Sequence, residues 1–167
     1  MREPPDEPSK QALITALRLL AASPKSLREL KARIEAGGYP ADAVRFALDE
    51  LVAQGILDDK AYARNLANQL IHGKSSGRHK IAFELKRHGV PGPVRNEIID
   101  SLTEDGERER ALELARMKWP GLSKLEPLKR KKKIFDYLIR KGYDFQIVHD
   151  VLDQVAKDIP DGTDSSL

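Results

Sequence analysis

Cysteine is absent from the 167 residues of this chain, and so is any long apolar run. Without cysteine the chain can form neither a disulfide framework nor a thiolate metal site. No apolar stretch approaches the roughly 20 residues of a membrane-spanning helix. The opening segment, MREPPDEPSK, also lacks the apolar core of a signal peptide. We therefore expect a cytoplasmic protein that does not enter a membrane.

Strand signals and catalytic signals are also missing. No run of β-branched residues alternates over several positions, so no sheet is expected. No two of the four histidines stand four residues apart, the spacing with which a helical metal site presents its histidines beside a carboxylate, and residues 73–77 lack the first glycine of a phosphate-binding loop. We expect these five residues to be a flexible connection. The sequence indicates no enzyme, no metal and no cofactor.

The chain does contain a threefold internal repeat, anchored on Gly38, Gly89 and Gly142. When the three anchors are superposed, seven neighbouring columns are apolar in every copy. The column four residues before the anchor, for example, holds Ile34, Leu85 and Leu138. With 40% hydrophobic residues, one column would be apolar three times by chance only about once in sixteen. A period of this size indicates stacked copies of one supersecondary unit.

Each repeat is predicted to contain three helices. Apolar columns at helical spacing lie before and after each anchor, and glycine supplies the left-handed residue that ends a helix. Ser26 with Glu29 predicts a capping box, and Asp58 and Asp144 are predicted to cap the helices that follow them. Further helices are predicted over about residues 10–22, 59–72 and 107–118.

The predicted fold is therefore all-α, with three tandem three-helix repeats in an elongated, curved array. The predicted segments are a disordered lead at 1–9, repeats at 10–55, 58–103 and 106–156, and a disordered tail at 157–167.

Basic residues are clustered rather than abundant, because the net charge is only +3 while residues 129–133 are all cations. On a helical wheel Lys129, Lys133 and Arg140 lie opposite the apolar side, with Asp136 among them. Such a stripe fits a phosphate backbone or an acidic protein surface, although a solvated helix face is the alternative. The candidate partner-binding residues are Lys129, Arg130, Lys132, Lys133, Arg140, Lys141, Arg78, Lys80 and Arg87. Phe83 is expected to pack against a neighbouring repeat, with an exposed anchor as the alternative.

Several motifs taken together resemble the RecX family, the regulators of the RecA recombinase. They include GILDD at residues 55–59 followed by AYA at 61–63, and RKGY at 140–143, the place of the family's basic-basic-glycine-aromatic turn. Tyr62 stands where many members carry phenylalanine. The resemblance extends from about residue 13 to residue 155, and it carries over no catalytic residue.

The resemblance implies a regulatory protein that binds the RecA filament on single-stranded DNA. It would inhibit the recombinase, ATPase and coprotease activities of RecA, and thereby modulate recombination and the SOS response. Contact with the DNA itself would be indirect or weak, and we expect a monomer. Two alternatives stay open: a helical-repeat protein that binds nucleic acid directly, and a purely structural scaffold.

Overall fold

The computed structural model describes residues 5–159, and within them all regular structure is helical. The α-helices are α1 (Glu7–Ala22), α2 (Leu27–Ala36), α3 (Ala41–Ala53), α4 (Asp59–Asn68), α5 (Arg78–Arg87), α6 (Gly92–Asp100), α7 (Glu104–Lys118), α8 (Pro127–Arg140) and α9 (Phe145–Asp158). A π-helical turn, Gln69–Gly73, follows α4, and a 3-10 turn, Pro120–Leu122, follows α7. In the described part of the chain the α-helices form three consecutive groups of three, which confirms the predicted tandem three-helix repeats.

The three anchor glycines end the second helix of each group. Gly38, Gly89 and Gly142 have φ angles of 80°, 79° and 86°, a conformation that costs a residue with a side chain more than it costs glycine. Each donates its N–H to the carbonyl three residues earlier, over 2.9, 3.0 and 2.9 Å. The three turns therefore share one backbone geometry.

The predicted helix caps are present. Ser26 and Glu29 form a reciprocal capping box at the start of α2, and the Asp144 carboxylate accepts the Gln146 N–H at the start of α9. The Asp58 carboxylate accepts the N–H of Ala61 at the start of α4. Local hydrogen bonds thus define where these helices begin.

The chain divides into two compact units. One comprises residues up to Leu66 with Glu84–Ile98, and the other comprises Ala67–Phe83 with residues from Ile99 onward. Each unit has its own core of mainly Leu, Ile, Val and Ala side chains. The repeat columns eight and four residues before each anchor are completely buried in all three groups, as Leu30, Ile34, Ile81, Leu85, Ile134 and Leu138. Burial of these side chains is the main source of stability.

Both predicted disordered ends are partly helical. α1 begins at Glu7, inside the predicted lead, because the Asp6 carboxylate accepts the N–H of Ser9 and caps the helix. α9 continues to Asp158, one residue past the start of the predicted tail. Residues 1–4 and 160–167 lie outside the described residues.

The connection before α5 is held by hydrogen bonds, whereas the sequence predicted a flexible segment. The Ser75 carbonyl accepts the Tyr143 hydroxyl at 2.8 Å, and the Lys74 carbonyl accepts the Lys141 ammonium at 2.6 Å. Ser75 has a φ of 46°, which cannot continue a helix. Gly77 is buried. These contacts join residues that are far apart in the sequence. The small residues of the connection therefore gave no sign that it is held in place.

Among residues 5–159, no helix combines the length and the hydrophobicity that crossing a bilayer requires. In the same range, no three metal-ligating side chains come together.

Candidate partner-binding face

The solvent side of α8 carries four of the nine predicted cations. Lys129, Lys132, Lys133 and Arg140 are exposed, and we call these four residues the basic face. The opposite side of α8 is buried, so this face can be altered without opening the core. The Lys129 ammonium lies 3.2 Å from the carboxylate of Glu126, but both side chains are largely exposed. An exposed pair of this kind contributes little and leaves Lys129 able to change partner.

Helix α7 adds cationic and apolar groups beside the basic face. The Lys118 ammonium lies 4.2 Å from the centre of the Tyr137 ring, and the Lys141 ammonium lies 5.7 Å from it. Both distances fall within the range of a cation–π attraction. An open groove of about 710 Å³ lies between α7 and α8. It is lined by Met117, Lys118, Gly121, Leu122, Lys133, Ile134, Asp136, Tyr137 and Arg140. The groove thus combines positive charge with an aromatic surface.

Among the described residues of the same unit, the two most exposed large apolar side chains are Met117 and Leu128. Met117 is 70% exposed and Leu128, in the first turn of α8, is 82% exposed. Methionine and aromatic residues are enriched in protein interfaces, where they provide the apolar contact that charges alone do not. Met117 also lines the groove, so charge and apolar area are available on the same surface.

Arg130 does not belong to this face, and its prediction as a partner-binding residue is wrong. It is 5% exposed, and its guanidinium donates to the carbonyls of Leu122 and Ser123 at 3.1 and 2.9 Å. A third bond goes to the Leu125 carbonyl at 3.2 Å, and the Trp119 ring lies 5.1 Å away. The Leu122 carbonyl also accepts the Leu125 N–H, and Arg130 supplies donors to all three of these carbonyls in the segment after α7.

Arg78 is also occupied inside the protein. Its Nε donates to the Glu107 carboxylate at 2.7 Å, its backbone N–H donates to the same carboxylate at 2.8 Å, and its guanidinium reaches the Leu102 carbonyl. Glu107 is completely buried, and a buried carboxylate requires a paired cation. The structure therefore gives Arg78 a stabilising role, and its part in partner binding stays a prediction.

The remaining candidates have mixed surroundings. The Lys141 ammonium donates to the Lys74 carbonyl, and Arg87, in the other compact unit, pairs with Glu84 at 2.7 Å. Lys80 is half-buried, and its ammonium lies 5.4 Å from the Phe83 ring. Phe83 is 58% exposed, so the alternative of an exposed ring is found rather than the expected packing.

Sequence reasoning missed Lys118, Met117 and Tyr137. Tyr137 lies four residues from both Lys133 and Lys141, so a helical wheel could have placed it beside the basic stripe. Lys118 and Met117 belong to another helix, and no local spacing signals their contact with α8.

Comparisons with known proteins agree on one family. A family model described as "RecX, third three-helix domain" matches residues 105–152, and one described as "RecX, second three-helix domain" matches residues 58–98. Two similar proteins bear the name "Regulatory protein RecX". The one from Clostridium botulinum is 31% identical over 150 residues, covering 86% of this chain and 70% of that protein. The one from Prosthecochloris aestuarii is 29% identical over 150 residues, covering 90% of this chain and 97% of that protein.

A solved structure with the same fold is the crystal structure of RecX from Lactobacillus salivarius. It matches with a TM-score of 0.83 over 90% of this chain and 98% of that chain, at 16% sequence identity. A second crystal structure, of a regulatory protein RecX, matches with a TM-score of 0.77 at 20% identity. At these identities the likeness establishes the fold.

Proposed function

The chain belongs to the RecX family of regulatory proteins, and on this premise we propose that it binds the RecA filament on single-stranded DNA. Binding inhibits the recombinase, ATPase and coprotease activities of RecA, and so modulates recombination and the SOS response. The protein acts by binding and carries out no catalysis of its own.

The observation that best supports this proposal is the basic face on α8. Its four exposed cations stand on one rigid helix whose other side is buried, so the charges keep fixed spacing. A filament that carries single-stranded DNA presents a regular array of phosphate charges, and a row of cations is attracted to such an array. The apolar groups of the adjoining groove would add contact area once the surfaces meet.

The test is RecA-catalysed ATP hydrolysis on single-stranded DNA, measured with increasing amounts of the protein. The wild-type chain should suppress hydrolysis at or below equimolar amounts. Replacing Lys129 and Lys133 together by glutamate should weaken the apparent affinity about tenfold at low salt and reduce its salt dependence, because reversed surface charges slow the encounter. The variant should stay folded, since neither side chain is buried.

The matched control is the double replacement of Arg18 and Arg45 by glutamate. Both are exposed arginines in the other compact unit, and the change in net charge is the same. If this pair weakens inhibition as much as the Lys129/Lys133 pair, binding depends on overall charge and the basic face is not the site. Undiminished hydrolysis at saturating wild-type protein refutes the proposal itself.

Direct binding to nucleic acid is the second candidate, and the observation in its favour is Tyr137. An aromatic ring with two ammonium groups within 6 Å of its centre resembles the platforms on which unpaired bases stack. Binding to bare single-stranded DNA should then be as tight as binding to the filament, and Tyr137→Ala should weaken it. A titration without RecA at several salt concentrations separates the two candidates.

A further inference from the structure

Two of the three glycine turns are covered by the start of a preceding helix, and the Gly89 turn is the first. At this turn the Ser26 hydroxyl donates to the carbonyl of His88 at 2.5 Å. The Arg28 guanidinium donates to the carbonyl of Arg87 at 3.0 Å. A Cβ added to Gly89 would overlap the Arg28 side chain. The first turn of α2 therefore lies directly on the glycine turn of the next repeat.

The Gly142 turn is covered in the same way by the first turn of α5. The N–H of Gly77 donates to the Lys141 carbonyl at 2.9 Å, and the N–H of His79 donates to the Gly142 carbonyl at 3.0 Å. A Cβ added to Gly142 would overlap the backbone nitrogen of Lys80. The donors at the Gly89 turn are the side chains of Ser26 and Arg28, whereas those at the Gly142 turn are backbone N–H groups. In both cases the start of one helix meets carbonyls at the end of another helix.

The two contacts occupy equivalent positions in the repeat. Ser26 and Gly77 precede α2 and α5, and each lies twelve residues before the glycine of its own repeat, Gly38 or Gly89. Both are small, so the helix N-terminus can approach the carbonyls closely. The repeat thus contains a docking surface, the glycine turn, and a matching element, the N-terminus of the second helix.

The Gly38 turn presents the same docking surface without an occupant among the described residues. Its φ and its closing hydrogen bond match those of the other two turns. Gly37 and Gly38 are both exposed, and no described atom lies within 4 Å of where a Cβ on Gly38 would be. The carbonyls at the end of α2 are therefore available to donors from outside.

A second copy of this chain does not offer the matching element. In the third repeat the position twelve residues before Gly142 is Arg130, which is buried inside α8. That helix begins one turn earlier, at Pro127, so no helix N-terminus lies at the equivalent position. The starts of α2 and α5 in a second copy already lie on that copy's own Gly89 and Gly142 turns. The second helices of the repeats therefore favour an occupant from a different protein.

From this arrangement we infer that the Gly38 turn receives the N-terminus of a helix of the protein that this chain regulates. The docking helix begins with a small or hydroxyl-bearing residue and donates to the carbonyl of Gly37, the position whose equivalents, His88 and Lys141, accept from Ser26 and Gly77 at the other two turns. Naming RecA as that protein rests on the proposed function.

The test adds a side chain to the Gly38 turn by a replacement that the fold should tolerate. Asparagine tolerates the left-handed conformation better than other residues with a side chain, so Gly38→Asn should remain folded. The matched control is Gly55→Asn, because Gly55 also has a positive φ of 67° and no described atom within 4 Å of its Cβ position. Cosedimentation with RecA filaments on single-stranded DNA gives the affinity of each variant.

Gly38→Asn should bind the filament about tenfold more weakly than the wild type, since an added side chain overpacks a close backbone contact, while Gly55→Asn should bind as the wild type does. Hydrogen exchange on the wild-type chain provides a measurement that needs no variant. Exchange in residues 35–40 should slow on filament binding, and exchange around Gly55 should not.

Three results would overturn the inference: equal binding by Gly38→Asn and wild type, equal weakening by both variants, or concentration-dependent self-association that Gly38→Asn abolishes. The last would make a second copy the occupant. If the wild-type chain itself does not bind the filament, the proposed function fails, and the assignment of RecA as the occupant fails with it.

Discussion

Alanine replacements at three glycines should separate backbone strain from steric overlap at the repeat contacts. In Gly38→Ala the methyl group meets no described atom within 4 Å, so only the left-handed conformation opposes it, at about 1–2 kcal/mol. Gly77 has no positive φ, but its methyl group would overlap the backbone of Gly142 and Tyr143. Overpacking of this kind costs about 1–3 kcal/mol.

Gly142→Ala combines both effects, because its φ is 86° and its methyl group would overlap the backbone of Lys80. The expected loss in the free energy of unfolding is therefore about 2–5 kcal/mol, the sum of the two ranges. Gly55→Ala is the control for strain alone and should match Gly38→Ala. The order of stability should be wild type first, Gly38→Ala and Gly77→Ala next, and Gly142→Ala last.

The assay is urea unfolding followed by circular dichroism, with the midpoint and the slope determined for every variant. Equal midpoints for Gly38→Ala and Gly142→Ala would refute the reasoning, because the overlap with Lys80 would then have no energetic consequence. A wild-type midpoint for Gly77→Ala would likewise show that α5 does not lie against the Gly142 turn.

Two further predictions concern ionisable groups. Arg78→Met should destabilise the protein by about 3–5 kcal/mol in urea unfolding, because it leaves the buried Glu107 carboxylate without its cation, and adding Glu107→Gln should recover part of the loss. Hydrogen bonds from the Ser26 N–H and from His88 outweigh the effect of burial and hold the pKa of Glu29 below its ordinary value of 4.5. This stabilisation is present above pH 4.5 and is lost as the pH falls through the lower folded pKa, so Glu29→Gln should flatten the acid limb of stability against pH; an unchanged acid limb would contradict it.

Much of the fold could be predicted because its determinants are local and repeated. The glycine that ends a helix, the capping box of Ser26 and Glu29, and the apolar spacing around Leu85 and Leu138 each lie within a few residues of the structure they determine. Because the glycine and the apolar spacing occur in all three repeats, they can be distinguished from a chance pattern.

The site could be predicted only in part, because several of its side chains are positioned by contacts with residues that are distant in the sequence. Arg130 belongs to a run of cations, but the carbonyls after α7 draw its side chain into the protein. The position of the Arg78 side chain is fixed by its hydrogen bond to Glu107, 29 residues away. Lys118 reaches Tyr137 from a different helix. A helical wheel describes one helix, and it contains no information about groups that other helices bring to its surface.

We propose that this chain recognises RecA assembled on single-stranded DNA. Cosedimentation of the wild-type protein with RecA filaments, beside the same DNA without RecA, tests it most directly. We expect the protein to pellet with the filaments in near-stoichiometric amounts and to stay in the supernatant with bare DNA at physiological salt. Equal pelleting with bare DNA, or failure to pellet with the filaments, would contradict recognition of the RecA filament.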